Sequence, residues 1–200
     1  MAVTVDDLPS HGKPEKGQTR LQIHEKMIKA FEKHSIKGVV GFVNGKKIDE
    51  SPNDKNGPEA WVKAGHILGN HTWSHGNLHK MKLEQYLDDI DKNDSILNVL
   101  VPNYSKTKPK YFRYPFLIEG TSLESRAKIR HHLEEKDYTI AEVTDDFGDW
   151  AYSAPYIRCL EKNDTKSTAQ LKKNYLRMAQ NVLEWNEAAS NQILGKKIPH

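Results

Sequence analysis

The chain of 200 residues carries 30 Lys and Arg against 27 Asp and Glu, a formal charge of +3, with the two signs interspersed; this argues against a nucleic-acid-binding surface. A hydrophobic content of 36% and a mean hydropathy of -0.77 predict a water-soluble chain, and no apolar run approaches the ~20 residues that a membrane-spanning helix needs. The length suits a single domain over residues 1–200 with a substantial core. Cys159 is alone, so no internal disulfide can form and redox chemistry leaves the compartment open. Ala2 follows Met1 without the basic and apolar regions of a secretory leader. The expectation is either a cytoplasmic protein or a sequence that begins after a removed segment.

In chain order, Ala2 to Val5 is a short apolar strand that ends in Asp6-Asp7, followed by a loop marked by Pro9, Gly12, Pro14 and Gly17. Thr19 and Gln22 form a capping box for a helix whose apolar stripe is Ile23, Met27, Ala30 and Phe31. Val39 to Val43 is the clearest buried strand, and Asn44-Gly45 ends it. A polar loop is expected from Lys46 to Gly57, then a short helix from Pro58 to Ala64 with Gly65 as its stop, then a third strand over His66 to Gly69 that leads into His71.

Leu83, Tyr86, Leu87, Ile90 and Leu97 predict a helix from about Lys82 to Leu100, with Asp94 as a polar interruption. Lys110 to Phe112 reads as strand four, with Arg113-Tyr114-Pro115-Phe116 at its end. Thr121 and Glu124 suggest a second capping box, opening a helix that carries Leu123, Ala127 and Leu133. Tyr138 to Val143 reads as strand five, leading to Asp146 through Trp150. In the last helix Leu171, Tyr175, Met178, Val182, Trp185 and Ala189 alternate steps of four and three, which predicts a core face, and Lys196 to His200 reads as the approach to one more strand.

Alternating strands and helices imply a parallel sheet with right-handed crossovers, either an open doubly wound sheet or a barrel. The polar clusters all follow strands, and a barrel gathers several strand ends around one centre. The expected fold is therefore α/β, a distorted or incomplete (β/α) barrel with parallel strands.

His71 and His75 are four residues apart, a spacing that lets two imidazoles share one metal ion, although an isolated pair of this kind is weak evidence. In the zinc-protease pattern H-E-x-x-H the residue after the first His is the catalytic Glu; here it is Thr72, so a base must come from elsewhere. Asp6 and Asp7 can supply it, one carboxylate ligating a metal while the other takes a proton, and an Asx turn before Pro9 is the structural alternative. Arg113 could hold such a base ionised. Pro115 restricts Tyr114 and suits the presentation of the Phe116 N–H to a developing oxyanion. Asp149 and Trp150 could add a carboxylate and an apolar wall.

These clusters together resemble the motifs of the polysaccharide deacetylases of the NodB-homology type, carbohydrate esterase family 4. Thr4-Val5-Asp6-Asp7 is similar to their T-F-D-D signature and His71-Thr72-Trp73-Ser74-His75 to H-[ST]-x-x-H. Arg113-Tyr114-Pro115-Phe116 is similar to R-x-P-[YF], and Asp146 to Trp150 to D-x-x-D-W. The resemblance implies a distorted (β/α) barrel that removes acetyl groups from N-acetylated glycan, outside the cytoplasm, with zinc, or cobalt or nickel as substitutes. It implies Asp7, His71 and His75 as metal ligands, Asp6 as general base, Arg113 as its holder, and a Thr72 side-chain hydrogen bond that stiffens the histidine loop. It further implies Tyr114, Phe116 and Trp150 in substrate binding. Asp149 would orient the His that protonates the leaving amine.

Leu8-Pro9 and Leu117 stand where the family usually has Gly, and Tyr114 where it usually has Pro, so the substrate loops are expected to differ in shape. Ile198-Pro199-His200 imitates the family's L-x-H motif only superficially, since no apolar strand precedes it. The expectation is that the last strand and its His lie beyond the sequence. A carbohydrate-binding pseudoenzyme that keeps the metal site without the acid is the alternative function, and a domain whose polar clusters are only caps and turns is the third.

Overall fold

A computed structural model describes residues 2–10, 12, 14–106 and 109–197; Ile198-Pro199-His200 lies outside the described residues. The chain forms two compact units, one of Val3–His11 with Thr19–Glu142, the other of Met1–Ala2, Gly12–Gln18 and Val143–His200.

In the first unit five parallel strands, β1 (Thr4–Leu8), β2 (Val40–Val43), β3 (Ile67–Asn70), β4 (Lys110–Phe112) and β5 (Tyr138–Ile140), lie side by side in sequence order. Each crossover carries helix: α1 (Arg20–Lys33), α2 (Gly45–Glu50) with α3 (Asn56–Lys63), α4 (Leu83–Leu100) and α5 (Leu123–Glu135). Unbroken sequential order is the barrel arrangement, whereas a doubly wound sheet reverses direction at a switch point. All five C-terminal strand ends therefore share one rim.

The expected capping box on α1 is present: Thr19 Oγ1 accepts from Gln22 N at 3.1 Å and Gln22 Oε1 from Thr19 N at 2.9 Å. The stretch expected as a polar loop instead forms α2 and a 3-10 turn over Pro52–Lys55. Ile48 anchors α2 in the core, and the Gly45 N–H donates to Asn93 Oδ1 at 2.9 Å, a partner remote in sequence. The α5 box uses Ser122 and Ser125 in place of Thr121 and Glu124, because the short Ser125 hydroxyl turns back onto the Ser122 N–H at 2.9 Å. One residue of offset turns a helix by ~100°; Leu123 faces out at 84% exposure, while Ile129 and Leu133 are buried. Strand five stops at Ile140, three residues earlier than expected.

The core packs between sheet and helices. Tyr86, Ile90, Asn93 and Leu97 form the buried stripe of α4. Asp94, the interruption on that helix, accepts from Asn70 Nδ2 at 3.0 Å and from the Tyr138 hydroxyl. On the other side Trp61 donates to the Val39 carbonyl at 3.1 Å and meets Phe31 and His24 edge to face. Gly41 is required here, since a Cβ would stand 2.3 Å from Leu8 Cδ1 and 3.0 Å from the Trp61 indole nitrogen.

The second unit holds α6 (Trp150–Glu161) and α7 (Thr165–Leu194). Pro155 lies inside α6 and makes this helix unexpected from sequence. The α7 stripe predicted as core is not buried: Tyr175, Met178 and Trp185 are exposed. Within this unit it packs beside α6, and the rings of Phe147 and Tyr152 both meet Tyr175 edge to face. Amphipathic spacing reports a stripe and not its cover.

Gly41→Ala is expected to lower stability by about 1–3 kcal/mol through overpacking, read as a lower urea midpoint; an unchanged midpoint would contradict the packing described. Burial holds His24 and His66 below the ordinary imidazole value, so the folded chain binds fewer protons than the unfolded one as pH falls below about 6.5. Their contribution to stability is complete above that value and is lost on acidification. The urea midpoint should therefore fall between about pH 7.5 and about pH 5.5, and a flat or rising profile would contradict this.

Candidate functional site

The rim of the sheet brings together three of the predicted clusters. Along β1 and β2 the register runs Val5↔Gly41 and then Leu8↔Val43, three steps on one strand against two on the other. The extra residue is a bulge, a device that re-aims side chains, and Asp6 and Asp7 occupy it. Asp7 has φ 66, so the two adjacent carboxylates leave the strand in different directions.

The histidine loop leaves β3 at Asn70, which is fully buried. Asn70 Oδ1 accepts from Thr72 N at 2.8 Å and from Asn93 Nδ2 at 2.9 Å. Asn93 Nδ2 also reaches the Val43 carbonyl at 2.8 Å, and Asn44 Nδ2 donates to the carbonyls of His71 at 2.6 Å and Thr72 at 3.1 Å. Three buried amides thus fasten the loop to β2, β3 and α4. The expected Thr72 side-chain bond is absent: its buried hydroxyl has no hydrogen-bond partner among the described residues, and the stiffening comes from Asn70 bonding the Thr72 backbone. In the sequence Asn44 reads only as the end of the second strand, and nothing local marks Asn70 or Asn93 for a role.

Arg113 follows β4 and is 4% exposed. Its carbonyl accepts from His71 Nδ1 at 2.7 Å. A carbonyl cannot donate, so that nitrogen carries the proton and Nε2 keeps its lone pair. The guanidinium donates from Nη1 to both Asp6 oxygens at 3.2 and 3.3 Å, from Nη2 to Thr4 Oγ1 at 3.3 Å and from Nε to the Ala141 carbonyl at 2.6 Å. It also lies over the Phe42 ring, 4.6 Å from the centroid. Phe42 can sit there because Gly69 has no Cβ; one would stand 2.6 Å from that ring.

Asp7 Oδ1 is 3.3 Å from His75 Nε2 and 3.9 Å from His71 Nε2, and the donor atoms of the three residues all lie within 4.8 Å of one another. Ligands held about 2.0–2.2 Å from one tetrahedral ion stand roughly 3.3–3.6 Å apart, and the set, somewhat wider than that, is of the kind that could hold a divalent metal. Burial lowers the His71 pKa to about 4, against the Arg113 carbonyl bond that raises it, and keeps the ring neutral as ligation requires. One carboxylate and two imidazoles would supply three ligands to such an ion. Beside them, burial raises the Asp6 carboxyl above its ordinary value while Arg113 opposes and Asp7 reinforces that shift. Asp6 is thus a stronger base than an exposed carboxylate, held by a cation.

Phe116, with φ 57, sets its ring against His75 with centroids 4.5 Å apart and the planes tilted by 60°. Tyr114, expected at the substrate, has its ring buried at 3% exposure against Phe112. Asp149 and Trp150 belong to the second unit, Asp149 as the residue before α6 and Trp150 as its exposed first residue. In the same segment Asp146 Oδ1 accepts from Gly148 N at 2.8 Å. Asp7, Thr72, His75, Phe116 and Leu117 all have left-handed φ between 56 and 66, a conformation that costs about 1–3 kcal/mol per such residue and clusters at functional sites.

Residues 1–128 match the family described as polysaccharide deacetylase. The chain is 30% identical over 150 residues to a peptidoglycan-N-acetylglucosamine deacetylase of Bacillus cereus, which covers 75% of this chain and 46% of that protein. Its fold is like that of a chitin deacetylase from Colletotrichum lindemuthianum, with a TM-score of 0.57 and 16% identity over 90% of this chain and 80% of that one. It is also like a carbohydrate esterase family 4 pseudoenzyme from Bacillus anthracis, with a TM-score of 0.54 and 16% identity over 80% of this chain and 50% of that one. The chain spans about half the length of the curated relative described here. A bulged Asp-Asp pair, two converging imidazoles and a buried arginine on the rim of a parallel α/β sheet, found in a chain whose first 128 residues match the family, place this protein in the polysaccharide deacetylase family, carbohydrate esterase family 4.

Proposed function

We propose that this chain is the catalytic part of a metal-dependent hydrolase that removes N-acetyl groups from N-acetylglucosamine-containing polysaccharide, peptidoglycan or a chitin-like glycan, and releases acetate. The bond cleaved is a carbon–nitrogen bond of an amide other than a peptide. The observation that supports this most is the convergence of Asp7, His71 and His75 donor atoms within 4.8 Å, beside the Asp6–Arg113 pair. The peptidoglycan-N-acetylglucosamine deacetylase relative supports the substrate class. Glycans of this kind lie outside the cytoplasm, and we place the protein there.

Asp7, His71 and His75 would hold the ion, most simply zinc, with cobalt or nickel as substitutes. Bound there, such an ion would supply Lewis acidity and a more acidic water. Asp6 takes the proton from that water as the oxygen bonds to the carbonyl carbon. Arg113 keeps Asp6 charged and fixes its direction, and the Phe116 backbone N–H is assigned to the developing oxyanion. The carbon–nitrogen bond then breaks as the amine nitrogen gains a proton.

Acetate release from N-acetylglucosamine oligomers should disappear on chelation and return with zinc or cobalt. Asp6→Asn should lower kcat by roughly 10²–10⁴-fold with metal still bound; full activity in that variant would show that the base lies elsewhere. Metal binding without acetate release from any such oligomer would assign the chain to glycan-binding pseudoenzymes instead. Arg113→Lys keeps the backbone carbonyl that orients His71 but loses the fork that holds Asp6. It should retain metal affinity while kcat falls roughly 10–100-fold, and a loss of metal affinity equal to the loss of activity would contradict that division of labour.

A further inference from the structure

The segment that leaves Asp7 is held from outside by three basic side chains. His24, fully buried on α1, has Nε2 2.7 Å from the Pro9 carbonyl, to which it donates. Lys47, from α2, donates to the Ser10 carbonyl at 2.9 Å and approaches the Asp7 carbonyl at 3.4 Å. Arg20, the first residue of α1, donates from Nε to Ser10 Oγ at 3.0 Å and pairs through Nη1 with Asp54. Acceptors on Asp7, Pro9 and Ser10 are thereby fixed by groups from two different helices.

This grip falls where it matters most for the site. Asp7 sits in the bulge with φ 66, a conformation that a non-glycine residue leaves unless its surroundings hold it. The residues after it are Leu8-Pro9, without the backbone freedom of glycine. A carboxylate on a bulge is placed by the backbone on both sides of it: the strand ladder fixes the near side, and these donors fix the far side.

We propose that Lys47, supported by Arg20 and His24, is a positioning residue for the metal centre: its ammonium clamps the Asp7 and Ser10 carbonyls and so aims the Asp7 carboxylate at the point where His71 and His75 converge. The inference rests on the metal-dependent reading above. Among the described residues Lys47 hydrogen-bonds to backbone carbonyls and to neither imidazole, although its charge is also felt at Asp7 and His71. It acts through the backbone of one ligand, as groups outside a coordination sphere commonly do, with losses of roughly 10–100-fold in metal affinity when they are removed.

The test is a titration of the metal-free protein with cobalt(II), read by visible absorption, and with zinc by competition against a chelating dye. Lys47→Met keeps the stem and removes the donors; its Kd should rise roughly 10–100-fold, with an altered cobalt spectrum and a melting temperature near that of the parent. Lys47→Arg should recover most of the affinity. A Lys47→Met protein with parental Kd and spectrum would overturn the assignment, as would a parental Kd with a raised KM, which would make Lys47 a substrate contact. Should Lys47→Met fail to fold, Arg20→Gln loosens the same clamp at the half-buried start of a helix; a weaker Kd there supports the proposal and an unchanged one contradicts it. Absence of metal binding in the parent protein would defeat the functional reading itself, whereas binding that is indifferent to these variants defeats only the clamp.

Discussion

Arg113 is the residue on which the site depends, because its two ends do different work. The backbone carbonyl fixes the tautomer and direction of His71, while the guanidinium holds Asp6, Thr4 and the Ala141 carbonyl. One residue after β4 thus ties together the ends of β1, β3 and β5. The cation is buried, and a buried cation persists only when its donors are met and a counter-charge stands close. Both conditions are satisfied, with the Phe42 ring covering the remaining face. The proposed metal ligands and the proposed base are consequently parts of one arrangement, and their relative geometry is set by packing more than by the flexibility of side chains.

The same packing holds a backbone that would otherwise relax. Left-handed φ values at Asp7, Thr72, His75, Phe116 and Leu117 oppose folding, and the groups around them supply the compensation. The amides of Asn44, Asn70 and Asn93 bind the histidine loop from beneath, each making several hydrogen bonds in a buried setting where an unmade bond costs about 1–3 kcal/mol. The bulge in β1 is held on its far side by Lys47 and Arg20. Strain at the rim and polar connectivity below it are two views of the same design, in which the carboxylate and the two imidazoles are held in place by the fold itself.

Much of this is legible in the sequence, and the parts that are not share a cause. Strand four is read to the residue because Lys110-Tyr111-Phe112 is bounded by polar turns, and α1 by its capping box. Asp6, Asp7, His71, His75 and Arg113 are found because each cluster follows a strand, and parallel strands end on one rim. Asn93 is missed because its partners, Gly45 N and the Val43 carbonyl, are some fifty positions away in sequence, and nothing local marks it. Lys47 is hidden in the same way, inside a stretch read as loop. Pro155 conceals α6, and the periodic stripe of α7 is correct as a helix yet misleading as core. Local patterns carry elements; long-range polar pairing and the cover over an amphipathic face do not show in them.

On the proposed reading, the backbone carbonyl of Arg113 sets which ring nitrogen His71 offers to a metal. An anomalous-diffraction structure of the zinc-soaked protein tests it most directly. The account predicts a single ion bound by the Asp7 carboxylate and by Nε2 of both His71 and His75, with the His71 Nδ1–H still directed at the Arg113 carbonyl. An ion bound through His71 Nδ1, or at a place that leaves out Asp7, would contradict it.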